Sequence, residues 1–154
     1  MLKISQFRPV TMADREVFSR HYAQDPPEHS DNLFSNILCW NHFAHYTYAE
    51  HKNCLVISST VQGVTTFRPP IGPRDREALL DVIELAVREG GERPLVLVDG
   101  PTASWISTLY PDLPLCPDRD YWEYVYLTHD LAHLGGRKYL SIRRQLNRFV
   151  DRCH

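Results

Sequence analysis

Residues 45–67 read HYTYAE, HKNCLVISST and VQGVTTF, and the turn at 68–73 reads RPPIGP. Three strand-like runs lie here: His45–Glu50, Cys54–Ser59 and Gly63–Phe67. They are separated only by short turns at Lys52-Asn53 and Gln62-Gly63. Turns this short cannot hold a crossover, so the pairing is predicted to be an antiparallel meander. Pro69-Pro70-Ile71-Gly72-Pro73 ends the third strand. The next segment, Arg74–Glu89, is predicted as a helix with Leu79, Leu80, Ile83, Leu85, Ala86 and Val87 as its apolar positions, closed by Gly90-Gly91.

Upstream, Leu2–Phe7 alternates as a short strand, and Thr11 caps a helix with Asp14 at its third position and Val17, Phe18 and Tyr22 at helical spacing. Gln24-Asp25-Pro26-Pro27 stops it. Asn32–His42 is predicted as a second helix, with Ser30 or Asp31 as its cap. Downstream, Pro94–Asp99 reads as a strand buried on both faces and Thr102–Leu109 as a short helix. A proline-studded loop runs from Pro111 to Pro117, followed by an aromatic strand at Tyr121–Leu127. Tyr124 and Tyr126 share a face of that strand and read, with Tyr121, as core packing. Thr128 or Asp130 opens a last helical region, broken at Gly135-Gly136. The expected class is α+β: a mixed, mostly antiparallel sheet with helices on both sides. The element order resembles the connectivity of the GNAT (acyl-CoA N-acyltransferase-like) fold.

The chain has 154 residues, 43% of them hydrophobic and 23% charged, which suits one globular domain and excludes wholesale disorder. Its net charge of −2 argues against a generally basic nucleic-acid binder. No apolar run reaches the ~18 residues of a membrane span, and the N-terminus lacks a signal-peptide core. Cys39, Cys54, Cys116 and Cys153 are scattered and read as reduced thiols. The expected location is the cytoplasm, at most peripheral at a membrane.

The total charge conceals an asymmetry. Residues 137–154 carry six cations and one acid, +5, leaving −7 on the first 136 residues. Tyr139, Ile142, Leu146, Phe149, Val150 and Cys153 form one stripe at spacings of three and four, predicted to be a buried helix face. Arg137, Lys138, Arg144, Arg148 and Arg152 lie mostly off it, and are the candidate polyanion-binding residues. Arg144, Arg148 and Arg152 make a single row whose mutual repulsion an anion would relieve. That row is either a solvated face or a contact for tRNA phosphates, anionic lipid headgroups or acids on a second domain. The expected organisation is a domain at 1–134 followed by a basic amphipathic helix at 135–154.

The histidine pairs His129/His133 and His42/His45 lack the third ligand that zinc requires, so no metal is expected. Cys116 or Cys153 as a nucleophile would need an adjacent base and an orienting group, and sequence places neither. No catalytic residue is assigned.

Four stretches carry a family resemblance: FRPVTMAD at 7–14, NLFSNILCW at 32–40, FRPPIG at 67–72, and a C-terminal signature. The signature comprises DRDYWEYVY at 118–126, GRKY at 136–139 and RRQLNRF at 143–149. With these the chain resembles the N-terminal part of the phosphatidylglycerol lysyltransferase C-terminal domain family. The resemblance implies tandem GNAT-like domains, with the transferase site on a second domain that follows the last helix. It also implies that acyl-CoA or aminoacyl-tRNA is used only with that domain, so no cofactor is expected for this chain, and the expected partner is a second GNAT-like domain or a homodimer. The GNAT pyrophosphate turn normally runs Gln or Arg, two residues, Gly, one residue, Gly or Ala. In Arg68-Pro69-Pro70-Ile71-Gly72-Pro73 the glycine falls one place late, and three of six residues lack an N–H. Arg68, Gly72 and Arg74 therefore read as a degenerate pyrophosphate loop. Three functions compete: the non-catalytic half of an aminoacyl- or acyltransferase, an interaction or regulatory module, and a small stand-alone N-acetyltransferase.

Overall fold

The structure is a computed structural model that describes residues 1–90 and 95–153. Met1–Tyr121 and Trp122–His154 form two compact units.

In the first unit, a sheet of β1 (Arg8–Pro9), β2 (Thr47–His51), β3 (Cys54–Val61) and β4 (Val64–Phe67) is antiparallel throughout in the order β1-β2-β3-β4. Helices α1 (Arg15–Tyr22), α2 (Phe34–Cys39) and α3 (Asn41–Ala44) precede β2, while α4 (Arg76–Glu89) and α5 (Gly100–Leu109) follow β4. The meander is as expected. Lys52 and Asn53 in one turn, and Gln62 and Gly63 in the other, all have positive φ, the conformation of two-residue hairpin turns. Register follows from them: Ala49 faces Val56, and Ser58 faces Phe67.

Strand parity divides the core. Tyr46, Tyr48, Leu55 and Ile57 cluster with Val10, Phe18 and Ile37 on one side of the sheet. Ala49, Val56 and Phe67 pack with Leu2 and with Val82, Leu85 and Ala86 of α4 on the other. The α+β class with a GNAT-like sheet and helices on both sides is thus present.

Several local expectations are corrected. Leu2–Phe7 is not a strand: Ile4–Gln6 is a 3-10 turn, and only Arg8–Pro9 pairs with β2. The helix predicted over Asn32–His42 is split into α2 and α3, because the Asn41 side chain bonds outside the helix. It donates to the Val10 carbonyl at 3.0 Å and accepts from the Tyr46 N–H at 2.7 Å. Helix α4 starts at Arg76, two residues later than expected, because the Asp75 side chain caps it. Gly90 ends it; Gly91 lies outside the described residues. The segment from Leu95 to Asp99 is half-buried and is no strand: Leu95 makes one parallel bridge to Phe67, and the positive φ of Leu97 breaks the pleat. Pro94, the first residue of that predicted strand, is outside the described residues.

The second unit contains α6 (Thr128–His133) and α7 (Leu140–Cys153), interrupted at Gly135-Gly136 as expected. Arg143 fixes the break by donating to the carbonyls of Leu134 and Gly136, both residues with positive φ. Two expectations fail here. Residues 122–127 carry no strand, and Tyr121, Tyr124 and Tyr126 are exposed rather than core. The α7 stripe is not buried either: Leu146, Phe149, Val150 and Cys153 are exposed, Ile142 is half-buried, and only Tyr139 is enclosed. Sequence period defines such a face, but only a packed neighbour buries it.

Three carboxylates link the first unit to pH, one of them Glu50, which the hydrogen bond from His21 and the Arg20 charge hold below its ordinary 4.5. Burial pushes Asp14 up, but hydrogen bonds from Tyr48 and Thr11 and the Arg8 charge hold it below its ordinary 3.8. Asp81 is also held below 3.8: burial opposes it, and His51, the N-terminus and Lys52 outweigh burial. A depressed carboxylate stabilises the fold above its unfolded pKa, and that contribution is lost as pH falls through the folded value. Urea midpoints are therefore expected to hold steady above about pH 5 and to decline below about pH 4. Asp14→Asn should lower the plateau and flatten the acid limb; an unchanged acid limb would contradict the assignment.

Candidate functional site

The degenerate turn joins β4 to α4, where the strand ends and the helix N-terminus could face an anion. Its donors are already taken. Arg68 N–H donates to the Ile57 carbonyl at 3.0 Å and Ile71 N–H to the Leu55 carbonyl at 2.9 Å, extending the sheet past β4. Gly72 N–H donates to Asp25 Oδ2 at 3.1 Å. Pro69, Pro70 and Pro73 have no N–H to offer. At the helix itself, Asp75 Oδ1 accepts from the N–H groups of Glu77 and Ala78 at 2.8 and 2.9 Å. Every backbone N–H of residues 68–73 bonds within the protein, and the carboxylates of Asp25 and Asp75 occupy the donors of the turn and of the helix start.

Arg68 is turned inward and is only 3% exposed. Its Nη1 donates to the Asp31 carbonyl at 2.7 Å and Asn32 Oδ1 at 2.8 Å, and its Nη2 donates to the Tyr46 hydroxyl at 3.3 Å. Burial pulls its pKa below the ordinary guanidinium value, with Tyr46 opposing. Here the guanidinium ties the turn before α2 to the sheet. Gly72 has φ +140°, and a Cβ there would lie 3.0 Å from the Asn53 carbonyl oxygen. Its missing side chain lets the turn pass close to the β2–β3 hairpin. Arg74 is exposed, donates to the Pro101 carbonyl at 3.2 Å and lies over the Trp105 ring. It flanks a cleft of about 370 Å³ whose acids, Asp25, Glu28 and Asp99, outnumber it. Such a rim repels phosphate. Sequence reasoning missed Asp25, because its partner Gly72 is 47 residues away and no local pattern links them.

In the second unit the cations separate into two sets. Lys138 donates to Asp130 Oδ2 at 2.7 Å, and the Tyr139 hydroxyl donates to the same oxygen at 3.0 Å. These two bonds, Lys138's first, hold Asp130 below the usual carboxylate range, and Asp130 in turn raises Lys138. Arg137, Arg144, Arg148 and Arg152 are all exposed. Asp151 is the only acid among residues 140–153 of α7. Arg144, Arg148 and Arg152 thus form an exposed row of guanidinium groups on α7. His133 Nδ1 lies 3.0 Å from the His129 carbonyl, and the two rings stack. Among the described residues no three potential metal ligands gather. Cys39, Cys116 and Cys153 are exposed thiols, and burial pushes Cys54 up to about 11.

A protein-family model described as phosphatidylglycerol lysyltransferase, C-terminal, matches residues 23–154. No curated protein matches the chain. Among solved structures, a conserved protein of unknown function from Bacteroides thetaiotaomicron VPI-5482 is 27% identical, with a TM-score of 0.80. The match covers 94% of this chain and 50% of that one, so the chain spans about half the length of its solved relative. No helix among the described residues is long and apolar enough to cross a membrane.

Proposed function

Given that the chain belongs to the phosphatidylglycerol lysyltransferase C-terminal family, we propose that it is a GNAT-like half-domain of an aminoacyl- or acyltransferase, without catalytic activity of its own. In this reading a second GNAT-like half supplies the transfer chemistry. This half contributes structure and, through Arg137, Arg144, Arg148 and Arg152, a basic face for an anionic partner, tRNA or the headgroups of an anionic membrane. The turn at 68–73 carries the reading, because its N–H groups are spent on the sheet and on Asp25. A phosphate entering there would have to displace a carboxylate at Gly72 and would meet another at Asp75. Charge repulsion and lost internal hydrogen bonds both oppose it.

The test is calorimetric titration of the chain with acetyl-CoA. The expected result is no saturable heat up to millimolar ligand. A micromolar Kd would overturn the reading and favour a stand-alone acetyltransferase.

A further inference from the structure

The cleft of about 370 Å³ lies wholly in the first unit, between the loop after α1, the turn at 68–73 and the start of α5. That volume is in the range of small-molecule sites. Its hydrogen-bonding inventory is one-sided. Five of its lining residues are prolines, which offer carbonyl oxygens and no N–H. The N–H groups of Gly72 and Thr102 are spent on Asp25 Oδ2 and Asp99 Oδ1, at 3.1 and 2.8 Å. Asp25 Oδ1, Asp99 Oδ2 and the Glu28 carboxylate have no hydrogen-bond or ion-pair partner among the described residues. What the cleft leaves free is chiefly acceptor oxygen. This complements a group that only donates, an ammonium or a guanidinium.

Two further observations narrow the class. Among the described residues no three potential metal ligands gather, so the three carboxylates line the cleft without converging as a metal ion requires. The wall of the cleft also already seats one cation. The Arg74 guanidinium lies over the Trp105 ring, 5.5 Å from its centroid, and donates to the Pro101 carbonyl at 3.2 Å. It makes no ion pair with Asp25, Glu28 or Asp99, so their charge is not neutralised from within. A planar guanidinium stacks on an aromatic face and spreads several N–H donors in a fixed fork, which suits acceptors set apart around a cleft. We propose that the cleft binds a small guanidinium compound, its plane against Trp105 and its N–H groups on the free oxygens of Asp25, Glu28 and Asp99. Arg74 is then a built-in competitor for the same seat. This site is separate from the transfer reading, whose own test is acetyl-CoA.

Calorimetric titration of the full chain with agmatine tests the proposal, with cadaverine, a diamine of equal charge and similar length, as the comparison. Saturable agmatine binding is expected at low salt with a Kd below about 1 mM, and cadaverine should bind about fivefold more weakly. Glu28 is exposed, and asparagine at position 99 still caps α5, so Glu28→Gln and Asp99→Asn should leave circular dichroism unchanged. Each should weaken agmatine by about fivefold through the loss of one charge-assisted hydrogen bond. Arg74→Ala should tighten it by about threefold, because it vacates the Trp105 face and removes a like charge. No saturable agmatine binding overturns the proposal, as does binding that neither acid variant alters. Cadaverine binding as tightly as agmatine overturns the guanidinium assignment. Unchanged or weaker binding in Arg74→Ala overturns the shared seat.

Discussion

Gly72→Ala is expected to destabilise the chain by about 3 kcal/mol, which for a domain of this size lowers Tm by roughly 6–12 °C. Two costs combine. The φ of +140° is a conformation that side chains rarely adopt, and the added methyl would meet the Asn53 carbonyl oxygen at 3.0 Å and Cys54 Cα at 3.3 Å. Both obstacles are backbone of the β2–β3 hairpin, which cannot rotate aside. Gly63→Ala separates the two costs. Gly63 also has positive φ, +80°, but a methyl at that position would have nothing within 4 Å, so only backbone strain of about 1 kcal/mol is expected. Urea and thermal midpoints of the two variants provide the comparison. If Gly72→Ala costs no more than Gly63→Ala, the glycine is not there for close approach, and a ligand-binding role for the turn regains support.

The parts of this fold legible in sequence are those fixed by neighbours along the chain. The two hairpin turns, the run of apolar positions in α4 and the break at Gly135-Gly136 depend on residues within a few positions, and all three are present. Where a distant group decides, the pattern misleads. Tyr121–Leu127 has the composition of a strand, but a strand exists only with a partner, and none pairs with it among the described residues. The α7 stripe repeats at helical spacing but is largely exposed, for the same reason. At Leu95–Asp99 an apolar run reads as a central strand, yet a single left-handed residue, Leu97, ends the pairing after one bridge.

The candidate site divides similarly. Proline at positions 69, 70 and 73 announces missing donors directly, since the ring replaces the N–H. That the remaining N–H groups are also consumed depends on Asp25, Ile57 and Leu55, which only the fold brings to the turn. Arg68 looks like a phosphate ligand in sequence and is instead a buried cross-link to Asp31, Asn32 and Tyr46. In the basic segment, the helical period groups Arg144, Arg148 and Arg152 correctly. It cannot show that Lys138 is paired with Asp130, eight residues away across the break between the helices.

The central claim is that α7 presents a basic face to an anionic partner, in place of a nucleotide-bound donor at the 68–73 turn. Binding of the chain to tRNA, and separately to phosphatidylglycerol vesicles, across a salt series tests it most directly. The comparison is with the Arg144→Gln, Arg148→Gln, Arg152→Gln triple variant. Each phosphate neutralised contributes about −0.9 to the log–log salt slope on duplex nucleic acid and somewhat less on single strands. The three side chains are exposed and lie off the apolar stripe, so their loss should leave the fold intact. The predicted result is measurable low-salt binding to one of the two polyanions, with the triple variant's slope flatter by roughly 2 to 3 units. No binding to either at low salt, or a slope unchanged by the triple substitution, would contradict the claim and leave the row as a solvated helix face.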